Sequence, residues 1–270
     1  MSFATPLRGF QTGKLEARRP AGLNDFKTYF ATALGPPPEQ AHYGAEVKVP
    51  WQMDGNGPDP AVTIAPAGWG GCGDCVVAGS AHYLTMSNFD EGGDADAVPT
   101  ANAAVETYCQ LAGCTTAELF ADPAKYDTGL DISSALQTWR TTGLFGVKLG
   151  AYAPVDYTDL DDVRNGLYLC GGLIIGIQLP QSAEQQFPNE WTYVAGSPNL
   201  GGHCITLSGY NATTVWGETW GELIAITWEF LQKYMDEAWA PVSAQAIEKG
   251  TGPNGLNVAQ LQADLAALDS

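Results

Sequence analysis

The chain has 270 residues, 45% hydrophobic and 16% charged, enough apolar side chains for one large domain or two small lobes. Its formal net charge of −18 repels phosphate backbones and anionic lipid headgroups, so neither nucleic acid nor a membrane surface is an expected partner. The 32 glycines and 17 prolines are dispersed without a repeat, which removes solenoid and collagen architectures.

The first twenty residues, MSFATPLRGFQTGKLEARRP, lack the apolar core of a secretory signal, and no later stretch approaches membrane-spanning length. A soluble cytosolic product is expected. Residues 1–22 read as an extended basic arm, and Leu23 to Leu34 as a helix capped by Asn24 with Phe26, Tyr29, Phe30 and Leu34 on one face. Gly35 and three prolines stop it. Residues Trp51 to Gly71 form a loop dense in Gly, Pro and Asp.

A buried central helix is expected from Cys75, where Val77, Ala78, Ala81 and Leu84 fall at helical spacing and Gly79, Ser80 and Ala81 permit close approach by neighbours. Thr100 to Leu111 and Asp131 to Trp139 carry the cap, apolar face and stop of shorter helices. Beyond Gly143 the period shortens. Phe145–Ala151, Leu173–Leu179, Trp191–Ala195, His203–Tyr210 and Leu223–Thr227 read as strands, interrupted by helices over Thr158–Leu169 and Trp228–Trp239. A last amphipathic helix spans Leu256–Leu268 and could dock on the body or on a partner.

Four regions follow: an arm and short helix (1–45), a helical lobe (46–143), a β-rich lobe (144–243) and a tail with its helix (244–270).

Cys75 opens its helix, where the macrodipole and unpaired N–H groups favour a thiolate and can steady an oxyanion. A general base must come from three histidines. His82 lies about 10 Å along the same helix, too far to bond Cys75, and suits a satisfied helix histidine. His42 sits in an unpatterned segment. His203 begins a strand after Gly201-Gly202, where glycines admit close approach, and is the best candidate base. Cys72 and Cys75 also form a C-x-x-C, but no βαβ unit supports a redox pair, and zinc would need Cys109 and Cys114 as further ligands. Six cysteines in a chain this long are mostly free thiols.

These segments resemble papain-like cysteine peptidases. Cys72-Gly73-Asp74-Cys75 is similar to their C-G-S-C motif, Gly202-His203-Cys204 through Gly209-Tyr210 to their histidine strand, and Thr214-Val215-Trp216-Gly217-Glu218-Thr219-Trp220-Gly221 to their N-S-W-G-x-x-W-G segment. A closer likeness is to papain-like proteins encoded by actinobacterial phages and prophages, through Trp51-Gln52-Met53-Asp54-Gly55-Asn56, Gly73-Asp74-Cys75 and Ala81-His82.

The resemblance implies an α+β papain-like fold, a helical left lobe with its central helix packed on a β-rich right lobe. It implies Cys75 as nucleophile, His203 as base, Thr214 in place of the asparagine that orients the histidine, and Asn56 as substitute for the oxyanion glutamine, whose position holds Trp69. Trp216 and Trp220 would shield the histidine. Cys72 would be bridged as in the family, with Cys109 or Cys114 as its mate.

The function implied is a phage cysteine hydrolase, peptidase or amidase, acting on a protein or peptide substrate with no cofactor and no metal. The alternative is a catalytically idle virion protein, a decoration or tail component, docking on other virion proteins through the N-terminal arm and C-terminal helix. Either would be made in the host cytoplasm.

Overall fold

A computed structural model describes residues 11–42, 57, 59–90, 99–250 and 252–269. Residues 51–56 and 58 of the expected loop therefore lie outside the described residues, Asn56 among them, and its remainder, 59–71, holds no helix or strand, as expected.

The central helix, α1 (Cys75–Asp90), forms as expected: the Asp74 carbonyl accepts the first helical bonds, from Val77 (2.8 Å) and Ala78 (3.0 Å). Two buried clusters share it. Val77 and Ala81 face a smaller helical core with Cys72, Val105, Tyr108 and Leu119, whereas Cys75, Val76 and Tyr83 face the main core against the sheet. A helix buried on both sides needs apolar or small residues all round, and this sequence supplies them. The smaller core is completed by α2 (Ala101–Ala112), with Thr100 as N-cap and Gly113 left-handed at its end, and by the short α3 (Thr116–Ala121) and α4 (Pro123–Tyr126). Helix α5 (Ile132–Thr141), capped by Asp131, closes this half.

The second half is one twisted antiparallel sheet. Its strands are β1 (Ala41–His42), β2 (Leu149–Pro154), β3 (Leu173–Pro180), β4 (Asn199–Tyr210), β5 (Thr214–Thr219), β6 (Glu222–Thr227) and β7 (Met235–Ser243). They run in the order β2-β7-β3-β4-β5-β6, with β1 pairing β4. Helices α6 (Leu160–Cys170), α7 (Gln181–Gln186), α8 (Trp228–Tyr234) and α9 (Ala244–Lys249) connect or flank the strands.

Several expectations shift. The Leu23–Leu34 helix shrinks to a 3-10 turn over Phe26–Tyr29, since burial of Phe26 and Tyr29 is met in one turn. Phe145–Ala151 starts pairing only at Leu149, because Leu144 and Val147 exchange backbone bonds in a tight turn. Trp191–Ala195 makes no strand, only an isolated bridge from Trp191 to Ile226. The helix expected over Trp228–Trp239 stops at Tyr234, and Met235–Ser243 becomes β7 between β2 and β3. There long-range pairing overrides a helical apolar pattern.

The C-terminal helix, α10 (Val258–Ala267), docks on the body. Leu261 and Leu265 are fully buried, Tyr29 donates to Asp264 at 2.9 Å and Arg140 pairs with Asp269. Its buried apolar residues thus pack on the body, the first of the two alternatives left open by the sequence. Among the described residues no helix is long and apolar enough to cross a membrane.

Helix α1 lies on β4 because Gly79 has no side chain. A Cβ there would stand 3.1 Å from Cys204 Sγ, and Thr206 Oγ1 donates to the Gly79 carbonyl at 2.6 Å. Gly79→Val should therefore lower unfolding stability by about 1–3 kcal/mol, measured by denaturant titration; an unchanged midpoint would show that helix and sheet are not in this contact.

Candidate active site

Cys75 is the first residue of α1 and is only 1% exposed. The backbone N–H groups of Cys204 and Gly13 lie near its thiol and favour the thiolate, which places the peptide unit joining His203 to Cys204 beside the sulfur. Burial pushes the thiol up to about 12, opposed by those two backbone groups and, more weakly, by the charge of Lys14.

His203 is equally buried, on β4. Its Nε2 lies 2.8 Å from Thr219 Oγ1, and its ring stacks on Trp220 with centroids 4.9 Å apart and planes 30° apart. Nδ1 is buried and has no hydrogen-bond partner among the described residues, so no hydrogen bond joins it to Cys75. Burial, and secondarily the charge of His82, lowers the imidazole to about 3. With the thiol this high and the imidazole this low, both groups are neutral near pH 7.

Thr219, rather than Thr214, orients the imidazole. In the β4–β5 hairpin Thr206 pairs with Glu218 and Tyr210 with Val215, so His203 lies beside the far end of β5. Thr214 sits at the turn, where its N–H donates to Asn211 Oδ1, about 20 Å away along the strand. Asn211 shapes that turn and is equally remote. Two Trp-Gly pairs four residues apart offered two alignments, and hairpin register selects the second.

Trp220 accordingly shields the histidine, while Trp216 lies on β5 opposite Gly209. Trp220 and Gly221 hold φ angles of 50° and 72° in the two-residue turn joining β5 to β6. Positive φ is unfavourable for a tryptophan, by roughly 1–3 kcal/mol. Stacking on His203 and edge contacts with Trp191 (5.6 Å) and Phe187 (5.1 Å) hold the ring in place.

Asn56 lies outside the described residues, so its place in the site is not described. Trp69 packs edge-on against Phe120 at 5.2 Å. All six cysteines are free thiols, Cys72 included, which corrects the bridge implied by the resemblance. Cys72 is buried, with its thiol raised by burial and by Asp74 and Asp127. Among the described residues no group of three or more His, Cys, Asp or Glu side chains is arranged to hold a metal ion.

The feature missed in the sequence is the arm. Residues Thr12–Leu15 run through the mouth of the cleft, between the helical half and the sheet. Lys14 N–H donates to the Gly202 carbonyl at 3.1 Å on the sheet side; Leu15 N–H donates to Leu130 O at 2.9 Å, and Leu130 N–H to Gly13 O at 2.8 Å, on the helical side. A Cβ on Gly13 would fall 1.7 Å from the Gly73 carbonyl oxygen, and one on Gly129 would fall 2.4 Å from the Gly13 oxygen. Gly73 is itself fixed by Asp127, which accepts its N–H at 2.9 Å. The strap thus lies beside the thiol of Cys75 through the Gly13 backbone.

Structural likeness supports this architecture. Xylellain, a cysteine protease from Xylella fastidiosa, superposes with a TM-score of 0.61 at 12% identity, covering 90% of this chain and 100% of that one. The proform of Amb a 11, a cysteine protease and major ragweed pollen allergen, matches at 0.55 and 16%, covering 88% and 75%. Pro-cathepsin B from Trypanosoma congolense matches at 0.53 and 12%, covering 86% and 87%. The chain has the papain-like fold. At these identities the likeness speaks for the fold alone. No protein-family model matches the sequence, and no curated protein matches it.

The papain-like cleft gives two predictions. Thr219→Val leaves a buried imidazole nitrogen unpaired and should cost about 1–3 kcal/mol of stability, against under about 0.5 kcal/mol for Thr214→Val; equal losses would contradict the assignment. Because His203 binds its proton far more readily unfolded (about 6.5) than folded (about 3), stability should be full above pH 6.5 and fall as pH drops toward 3. His203→Gln should flatten that part of the stability-versus-pH curve, and an unchanged slope would show that the histidine is hydrated.

Proposed function

We propose that the protein is a papain-like cysteine hydrolase, a peptidase or amidase, held in a closed state by its own arm. The observation that carries this reading is the seating of Cys75, a helix-opening thiol, against the peptide unit that carries His203. Thr219 holds Nε2 of that histidine and leaves Nδ1 to receive the thiol proton.

In the opened cleft, Cys75 passes its proton to His203 and the sulfur forms a bond to the acyl carbon of a bound amide. The Cys75 N–H at the helix start steadies the oxyanion. His203 returns the proton to the leaving nitrogen as the C–N bond breaks, and water then hydrolyses the thioester. Thr219 acts as a positioning residue by fixing the tautomer and plane of the ring. Hydration of the opened site raises the imidazole and lowers the thiol, which brings the two toward proton exchange.

We further place the protein with the phage- and prophage-encoded papain-like proteins, on the strength of its Trp51–Asn56, Gly73–Cys75 and Ala81–His82 motifs. Its substrates on that reading are a phage protein during assembly or a cell-wall peptide during entry. The genomic neighbourhood of the coding sequence tests this part: phage structural genes beside it support the placement, and a setting without phage genes contradicts it.

Alkylation of Cys75 by iodoacetamide, followed residue by residue by mass spectrometry, tests the closed-hydrolase reading. In the parent chain alkylation should be slow at pH 7 and rise about tenfold per pH unit to pH 9, since the thiol titrates near 12. Gly13→Val, whose side chain cannot fit against Gly73, should accelerate it at least tenfold at pH 7 and expose peptide hydrolysis that Cys75→Ser abolishes. An opened variant whose Cys75 reacts no faster than Cys72 would exclude an activated nucleophile.

A further inference from the structure

The strap is held by three backbone hydrogen bonds, which are indifferent to sequence, by the half-buried Thr12, whose Oγ1 donates to the Leu200 carbonyl at 3.3 Å, and by one deeply seated side chain. Gly13 offers no side chain and Leu15 is exposed, whereas the Lys14 side chain is fully buried. Its ammonium lies 3.0 Å from Asp236 Oδ2 and 3.0 Å from Glu237 Oε1, and also donates to the Leu15 carbonyl at 3.1 Å. From Lys14, in line with Gly13 over the thiol, one buried side chain thus reaches a pair of carboxylates on β7.

That pair is built into the sheet. Successive side chains of a regular strand point to opposite faces, so neighbours should not converge on one cation. Here the β3–β7 register slips: Gly176 pairs with Glu237 and Ile177 with Met235, which leaves Asp236 as the extra residue of a bulge. The bulge turns both carboxylates to the same ammonium. Each is steadied from behind, Asp236 by Gln178 Nε2 at 2.6 Å and Glu237 by the Trp239 indole N–H at 2.7 Å. The floor is Gly176, where a Cβ would fall 1.9 Å from Lys14 Cε, so only glycine leaves room for the lysine stem. Burial works against the Lys14 charge, but Glu237 and then Asp236 outweigh it and hold the ammonium protonated.

We infer that the Gly176, Asp236 and Glu237 pocket is the side-chain subsite of the cleft, that it selects a lysine or arginine beside the bond to be cut, and that Lys14 is its built-in occupant. This rests on the hydrolase reading of the same cleft. An ammonium or a guanidinium can engage two carboxylates at once, whereas an apolar or acidic side chain would leave them buried and mutually repelling. The Gly13 carbonyl accepts from the Leu130 N–H at 2.8 Å.

The test uses full-length Gly13→Val with peptide amides carrying Lys, Arg, Leu or Glu on either side of the reporter bond. Binding of the same peptides to the Cys75→Ser form is read by fluorescence anisotropy. Lys and Arg peptides should be preferred at least tenfold over Leu and Glu in both readouts. D236N/E237Q should remove that preference, bringing the Lys and Arg peptides down to the level of the Leu peptide in both readouts. If Gly13→Val does not fold, Lys14→Glu sets a third carboxylate beside the pair, releases the strap from the other side and takes the same series. Cleavage without basic preference would overturn the subsite and leave the hydrolase intact; preference in binding without cleavage would support the subsite and overturn the hydrolase.

Discussion

The close approach of α1 to β4 is the constraint on which the rest depends. Gly79 lets the helix lie on the strand, and Thr206 ties the Gly79 carbonyl to it, so the register between helix and strand is set within a fraction of an ångström. Once it is set, the start of the helix must lie beside the start of the strand's buried run. Cys75 and the His203–Cys204 peptide then meet without either being placed by a flexible loop. Groups carried on two rigid elements need no further device to hold their spacing.

The same geometry creates a problem that the arm solves. Two walls that meet at a thiol leave unpaired carbonyl and N–H groups at the mouth, and Thr12–Leu15 satisfies those of Gly202 and Leu130 as an added strand would. Recognition by strand addition supplies affinity through the backbone and leaves selectivity to whichever side chain is buried. In this chain that side chain is Lys14, and the acidic seat beneath it explains how a protein of net charge −18 uses one of its few cations. Sealing the mouth also determines the protonation states, because dehydration alone favours the uncharged forms of both Cys75 and His203.

Much of this was legible in the sequence, and the parts that were not share a cause. Cys75 and His203 stood out because a helix start and a glycine-flanked strand are local patterns. The caps at Thr100 and Asp131 were legible for the same reason. Thr219 was hidden behind a repeated Trp-Gly pair, although counting across the hairpin from the Asn211 turn would have found it. Strand β7 was read as the end of a helix, since Phe230, Leu231, Tyr234 and Met235 do repeat with helical spacing and only pairing with β2 and β3 overrides them. That misreading concealed Asp236 and Glu237. The arm looked like an extended basic tail because nothing local distinguishes Lys14 from Arg18 or Arg19; the two carboxylates of its seat lie more than two hundred positions away.

The arm's place over the thiol is the claim that joins burial, protonation and selectivity, and amide hydrogen exchange measures it most directly. The N–H groups of Lys14 and Leu15, bonded to Gly202 and Leu130, should exchange as slowly as those of the central strands, at least a thousandfold below the rate of an unstructured peptide. Exchange at the unstructured rate would mean that the arm lies outside the cleft and that Cys75 is open to solvent.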